Sequence, residues 1–308
     1  MRSSAAVLPE PTHVVTLPDG RLLAADVVGD PVGVPVVYLH GAPDCRLARH
    51  PNDAMAHQLG VRLIAVDRPG WGWSDPLPAG DGVREWADDV AVLLDELGID
   101  RVGVAAWSAG APFAWGLAAG RPDRVARITT FGAVALLEAF AADEADRSAA
   151  DASPARAGVV EAALDGMPAG ELAAEMAAYL IPEAPVDLAL ARDAVTENLG
   201  PGTRAALESV PGLVDQLARS LAAGVDRHGS AGFVFDITVQ FSDGLLPVVA
   251  DVRCPVTLVH GDKDPIAGPG VGEWFARHLA NAEVVTWPVG HQGLLTEWPR
   301  WLQLLAGQ

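Results

Sequence analysis

Residues 102–120, VGVAAWSAGAPFAWGLAAG, decide the fold. The stretch carries no charge for 19 residues, long enough to suggest a membrane span. Yet Gly103, Gly110, Pro112, Gly116 and Gly120 interrupt it, and its pattern changes halfway. It reads as a buried strand over 102–106, a sharp turn, and a helix over 109–119. A strand apolar at every position is buried on both faces, as in parallel sheets. At the turn stands Ala106-Trp107-Ser108-Ala109-Gly110. A serine between strand and helix sits on a tight turn with its hydroxyl above the sheet edge, and small neighbours let the backbone fold back on itself. The helix N-terminus behind it offers unpaired N–H groups and a positive dipole end. Ala106 stands where glycine is the commoner residue, one methyl group larger. The plainer alternative is an ordinary serine in a strand-to-helix loop.

Outward from this stretch, buried runs alternate with helices. Residues 14–17 and 22–28 flank Pro18-Asp19-Gly20 and read as a hairpin. Residues 35–39 end at His40-Gly41, and 61–66 end at Asp67-Arg68-Pro69-Gly70. Over 83–97, Val83, Trp86, Val90, Leu93, Leu94 and Leu97 recur at helical steps, and Gly98 follows. A further strand is expected at 125–131. This order implies an α/β protein with a mostly parallel sheet covered on both faces. From about Leu137 the chain becomes Ala-rich and helical, with no tryptophan until Trp274. Residues 138–243 hold 18 acidic and 6 basic residues, a net −12 of the total −19. We expect a helical cap over 138–245 inserted into a core made of 1–137 and 246–308. The alternation resumes with strands at 255–260 and 283–287 and helices at 271–280 and 294–305.

The balance of 21 basic against 40 acidic residues repels phosphate backbones and anionic membranes, so no nucleic-acid or membrane partner is expected. The acidic segment reads as a solvated face, and Arg46 and Arg49 are local cations that could oppose it. Two cysteines, Cys45 and Cys254, are too few for a disulfide scaffold. They fall at opposite ends of the expected strands and are expected to be free thiols. The eight histidines show no pair at ligand spacing, so no metal is expected. Residues 1–10 lack the apolar core of a signal peptide, which makes the cytoplasm the expected location.

A serine hydroxyl is a weak nucleophile until a base takes its proton. The run 256–260 leads into Gly261-Asp262-Lys263-Asp264, and the run 283–287 leads to Gly290-His291. Alone, His291 would be a surface residue and Asp264 a turn residue. Placed together at two successive sheet ends, they read with Ser108 as a nucleophile–acid–base set in the order Ser108, Asp264, His291. Asp262 is the alternative acid.

These segments resemble the α/β-hydrolase superfamily. So do Leu39-His40-Gly41-Ala42-Pro43 and Asp67-Arg68-Pro69-Gly70-Trp71-Gly72-Trp73-Ser74-Asp75. The resemblance covers nearly the whole chain. It implies an eight-stranded, mostly parallel sheet with the helical cap between strands six and seven. It also implies oxyanion donors at the backbone N–H groups of Ala42 and Ala109, and a G-x-x-D spacing from Gly261 that lands on Asp264. His40 is then a structural residue of the loop. Trp107 is expected to line the acyl pocket, while Trp71 and Trp73 serve packing or binding. The implied activity is serine hydrolysis of a carboxylic ester, thioester or lactone, with a small-molecule substrate and no cofactor. Alternatives on the same scaffold are a cofactor-free acyltransferase, perhydrolase or cyclase, or a proline iminopeptidase-like peptidase. In that peptidase branch cap carboxylates hold the substrate amine. Here Glu171 and Glu175 share a helix face, but Asp44 replaces the usual glycine after Pro43. A non-catalytic binding protein is the other alternative. Dehalogenase and epoxide-hydrolase relatives carry a carboxylate where this chain has Ser108.

Overall fold

The computed structural model describes residues 9–134, 166–197, 199–242 and 244–307. Alternate residues of its central strands enter two separate cores. In β3 (Val34–Leu39), Val37 and Leu39 face one core and Val36 and Tyr38 the other. β4 (Val61–Val66) divides Ile64 and Val66 from Leu63 and Ala65, and β5 (Val102–Trp107) divides Val104 and Ala106 from Ala105 and Trp107. A strand that serves two cores has no polar face, which is why these runs are apolar apart from the half-buried Arg62 near the start of β4. Helices α2 (Trp86–Glu96) and α3 (Ala111–Gly120) close the first core, and α1 (Ala54–Gln58) packs into the second.

The eight strands run in the order β1-β2-β4-β3-β5-β6-β7-β8. β1 (His13–Thr16) and β2 (Leu22–Gly29) form the antiparallel hairpin, and β2 is antiparallel to β4. All other pairings are parallel, through β6 (Val125–Phe131), β7 (Val256–Gly261) and β8 (Ala282–Trp287). β4 and β5 lie on opposite sides of β3. The connections leaving β3 and β5 therefore diverge and open a crevice at the carboxyl ends of those strands. β5, in the middle, is buried at every residue, whereas the edge strand β8 is fully buried only at Trp287.

Between β6 and β7 lie α4 (Ala169–Leu180), α5 (Leu188–Glu197), α6 (Pro201–Glu208), α7 (Leu213–Asp226), α8 (Ala231–Gln240) and α9 (Leu245–Ala250). No strand occurs among the described residues of this segment. Helix α7 sits on the loops after β3 and β4: Gln216 Nε2 donates to Leu47 O (3.1 Å), and Gly72 N–H donates to Gly224 O (2.9 Å). Glu171 and Glu175 are both exposed on α4, a solvated face. The expected cap residues 138–165, 198 and 243, like residues 1–8, lie outside the described residues.

The chain ends its core with α10 (Pro269–His278), α11 (Gly293–Thr296) and α12 (Trp298–Ala306). The single helix expected over 294–305 is thus two, because Pro299 lacks an N–H and fits only the first turn of α12. The helix expected from 83 begins at Trp86, after a turn in which Gly82 N–H donates to Glu85 Oε2 (2.9 Å). The uncharged stretch 102–120 resolves into β5, one 3₁₀ turn over Ser108–Gly110, and α3. No described helix is long and apolar enough to cross a membrane. Cys45 follows β3 and Cys254 precedes β7, at opposite ends of the sheet, and both are free.

Candidate active site

Ser108 is the one non-glycine among the described residues with positive φ, at 52°. That left-handed backbone turns the chain sharply from β5 into α3 and lifts the side chain off the sheet end. Gly110 makes the turn sterically feasible, since a Cβ there would lie 2.4 Å from Leu39 O. Here the backbones of the β3 and β5 connections touch. Ser108 is only 7 % and His291 only 5 % exposed, so bulk water reaches the pair little.

The three separated residues converge. Ser108 Oγ lies 2.9 Å from His291 Nε2, and His291 Nδ1 lies 2.7 Å from Asp264 Oδ2. A carboxylate only accepts, so the imidazole proton sits on Nδ1 and leaves Nε2 free to accept from the Ser108 hydroxyl. Asp264 is itself pinned: its Oδ1 accepts from the N–H groups of Ile266 (2.7 Å) and Ala267 (2.9 Å). Burial alone would raise its pKa. The His291 partner and the two backbone donors outweigh that and hold the carboxyl below the usual range. Asp262, the alternative acid, is exposed. Trp107 does not stand open to the crevice. It is 6 % exposed, its ring centroid is 5.9 Å from that of His291, and its indole N–H donates to His291 O (3.1 Å).

The loop after β3 lies directly over the serine, since a Cβ on Gly41 would be 3.2 Å from Ser108 Cβ. This places the Gly41–Ala42 peptide beside Ser108. The Ala109 N–H lies in the first turn after it, where helical N–H groups lack partners within the helix. His40 is fully buried, with Nδ1 on Gly41 O (2.7 Å) and Nε2 accepting from Arg68 N–H (3.2 Å). Burial, reinforced by Arg68, pushes its pKa well below that of a free histidine. It is a neutral brace, as the sequence suggested. Arg46 and Arg49 are not a basic pocket. Arg46 pairs with Asp26 (3.1 Å) and Asp67 (3.0 Å), and Arg49 with Asp26 and Asp53 (2.9 Å each). Trp71 is fully buried and bonded to Asp236 (3.1 Å), a packing residue. An apolar cavity of about 380 Å³ opens between α8 and the loop after β4, lined by Pro69, Leu77, Val234 and Phe235 among others. Among the described residues no cluster of three or more His, Cys, Asp or Glu could hold a metal ion.

Two participants escaped sequence reading. Gly132, just past β6, has φ 54°, and a Cβ there would lie 3.0 Å from His291 Nδ1 and 3.1 Å from Asp264 Oδ2. Its signal was a glycine at a parallel strand's carboxyl end. The other is Asp236, a lone carboxylate in the apolar helix AGFVFDITVQ, a pattern that itself asks for a buried cation.

Asp44 is buried beside Ser220, and burial pushes its carboxyl up to about 7 against the pull of Ser220 and Arg68. Its folded pKa exceeds its unfolded one. The folded state is therefore penalised progressively as pH rises from about 4 to about 7, and the penalty levels off above that. The full penalty is about 4 kcal/mol at roughly 1.4 kcal/mol per unit. Asp44→Asn is expected to stabilise the protein, and by about 2 kcal/mol more at pH 8.5 than at pH 5.5. Urea midpoints at both pH values measure this, and an equal gap at the two would contradict it.

The comparisons with known proteins agree with this fold. Residues 34–297 match the model of the alpha/beta hydrolase fold family, so the chain belongs to the α/β-hydrolase family. Among curated relatives, it is 36% identical over 95 residues to epoxide hydrolase 2 of Siraitia grosvenorii, covering 30% of each chain. It is 34% identical over 132 residues to a putative non-heme haloperoxidase of Mycobacterium phage D29, covering 43% of this chain and 45% of that one. Each match thus spans less than half of the relative's length. Among solved structures, an enol-lactonase from Burkholderia xenovorans LB400 superposes with a TM-score of 0.65 at 18% identity, over 96% of this chain and 98% of that one. An alpha/beta hydrolase fold protein from Nakamurella multipartita gives 0.60 at 25% identity, over 96% and 99%.

Proposed function

We propose that the chain is a serine hydrolase that cleaves a carboxylic ester, thioester or lactone through an acyl-enzyme. The observation that carries this reading is the continuous hydrogen-bonded series Ser108–His291–Asp264 at three strand ends. His291 Nε2 takes the hydroxyl proton as Ser108 Oγ attacks the carbonyl carbon. The oxygen that becomes negative is received by the N–H groups of Ala42 and Ala109. His291 then gives its proton to the leaving alcohol or thiol, and the acyl group stays on Ser108. Water, deprotonated by His291, releases the acid and restores the serine. Asp264 keeps the imidazole in the required tautomer and stabilises its charged form. Trp107 serves the acyl pocket indirectly, by holding the His291 backbone. The segment 138–245 acts as a cap, a role that suits α7 and α8 lying on the loops after β3 and β4. A carboxylate-nucleophile reaction of the epoxide-hydrolase type has no carboxylate at position 108 to perform it.

The low exposure of Ser108 and His291 favours a second reading of the second half-reaction, in which an organic alcohol or amine takes the acyl group in place of water. Product analysis with and without an added acyl acceptor separates the two. The first half-reaction is tested by a fluorophosphonate probe followed by peptide mass analysis. Stoichiometric labelling of Ser108 is the expected result, and no label on Ser108 in folded protein would overturn the reading.

A further inference from the structure

The peptide group joining Gly41 to Ala42 is gripped by its carbonyl oxygen. His40 Nδ1–H donates to Gly41 O at 2.7 Å and Arg68 Nη2–H at 3.0 Å. The Arg68 main-chain N–H in turn donates to His40 Nε2 (3.2 Å), which leaves the imidazole proton on Nδ1, facing the carbonyl. This peptide is trans, so its C=O and N–H point in opposite directions. Holding Gly41 O against Arg68 and His40 therefore also sets the direction of the Ala42 N–H. A flip would break two hydrogen bonds, one of them charge-assisted. The guanidinium also polarises the amide and makes its N–H a stronger donor.

Arg68 is itself fixed from the segment between β6 and β7. Its side chain is wholly buried, and Nη1 pairs with Asp236 Oδ1 on α8, which is equally buried. The other Asp236 oxygen accepts from Trp71 Nε1 (3.1 Å), and the guanidinium lies 4.8 Å from the Phe113 ring centroid. The order of contact is thus Asp236, Arg68, Gly41 O, with the Ala42 N–H on the far side of the peptide. A surface salt bridge would transmit little. This pair is shielded from water, and each charge depends on the other.

We propose that Arg68 is a positioning residue for the Ala42 oxyanion donor and that Asp236 anchors it, so that seating α8 completes the oxyanion hole. The role presupposes the acyl-enzyme chemistry proposed above, and it couples the inserted segment to turnover without any contact between Asp236 and substrate.

The test uses the full chain and a short-chain p-nitrophenyl ester, with active sites counted by fluorophosphonate stoichiometry. Arg68→Met alone leaves Asp236 as an unpaired buried carboxylate and risks misfolding. The double variant Arg68→Met/Asp236→Asn removes both charges together, and Asp236→Asn alone keeps the side-chain shape. For the double variant, kcat per labelled site is expected to fall about 10²-fold with KM within about threefold, the size seen when one oxyanion donor is lost. Affinity for a trifluoromethyl ketone, whose serine adduct carries the oxyanion, should fall in parallel with kcat. Asp236→Asn should lose about tenfold, and Arg68→Lys, which keeps the charge beside Asp236 but not the two-pronged grip, should lose less than the double variant. A purely structural role would lower the number of labelled sites and leave kcat per site and ketone affinity unchanged. That outcome, in either Asp236→Asn or the double variant, overturns the proposal. Failure of the wild-type protein to label at Ser108 would instead remove the acyl-enzyme reading and this inference with it.

Discussion

Ser108→Ala is expected to lower turnover of a short-chain activated ester by about 10⁴-fold or more, because it removes the hydroxyl on which the proposed acyl-enzyme forms. The fold should survive. Alanine tolerates φ 52° no worse than serine does, and the lost hydrogen bond to His291 leaves only that residue's Nε2 without its partner. Ser108→Gly sharpens the expectation. Glycine occupies the left-handed region freely, so this variant should be equally inactive yet more stable than Ser108→Ala by about 1 kcal/mol. Activity close to wild type in either variant, with the mass of the substituted protein verified, would remove Ser108 from the chemistry.

The second large effect separates two carboxylates in one turn. Asp264→Asn should reduce kcat by about 10⁴-fold, since an amide can donate to Nδ1 and stabilise the wrong imidazole tautomer. Asp262→Asn should leave kcat within about twofold, because that side chain is exposed. A further signature follows from charge. The stability that Asp264 draws from its depressed pKa is present above the unfolded carboxyl pKa and is lost as pH falls through the folded one. The wild type should therefore lose stability at low pH more steeply than Asp264→Asn does. The reverse kinetic ranking in a matched comparison would transfer the acid's role to Asp262.

What could be read in the sequence was what burial and backbone geometry write locally. Strands β3 to β5 were legible because a strand buried on both faces is largely apolar, and β4 and β6 appear with the expected bounds. The convergence of Ser108, Asp264 and His291 was legible because parallel strands deliver their carboxyl ends to one side. Helix ends were less so. Pro299 divides the last helix, and the turn at Gly82 delays α2 to Trp86. Least legible were contacts between distant residues. Nothing near Arg68 announces a partner 168 positions away at Asp236, and Gly132 shows its purpose only when His291 and Asp264 close on it. Trp107 was expected at the acyl pocket because it adjoins the serine, and its long-range contacts were not legible. In the fold its odd-numbered register sends it into the second core, with its indole turned to the His291 backbone.

Ser108 and His291 ride on parts of the sheet with unequal resilience. Ser108 follows β5, flanked by strands on both sides and buried throughout, while His291 hangs from β8, which has a single neighbour and half-open faces. Opening events that cost little free energy concentrate at such margins, well below the cost of dismantling the centre. Warming or mild denaturant should therefore first detach the imidazole from an intact serine turn. The enzyme would fall silent while Trp86 and Trp115, in the first core, still report a native fold, and it would recover on cooling without needing to refold.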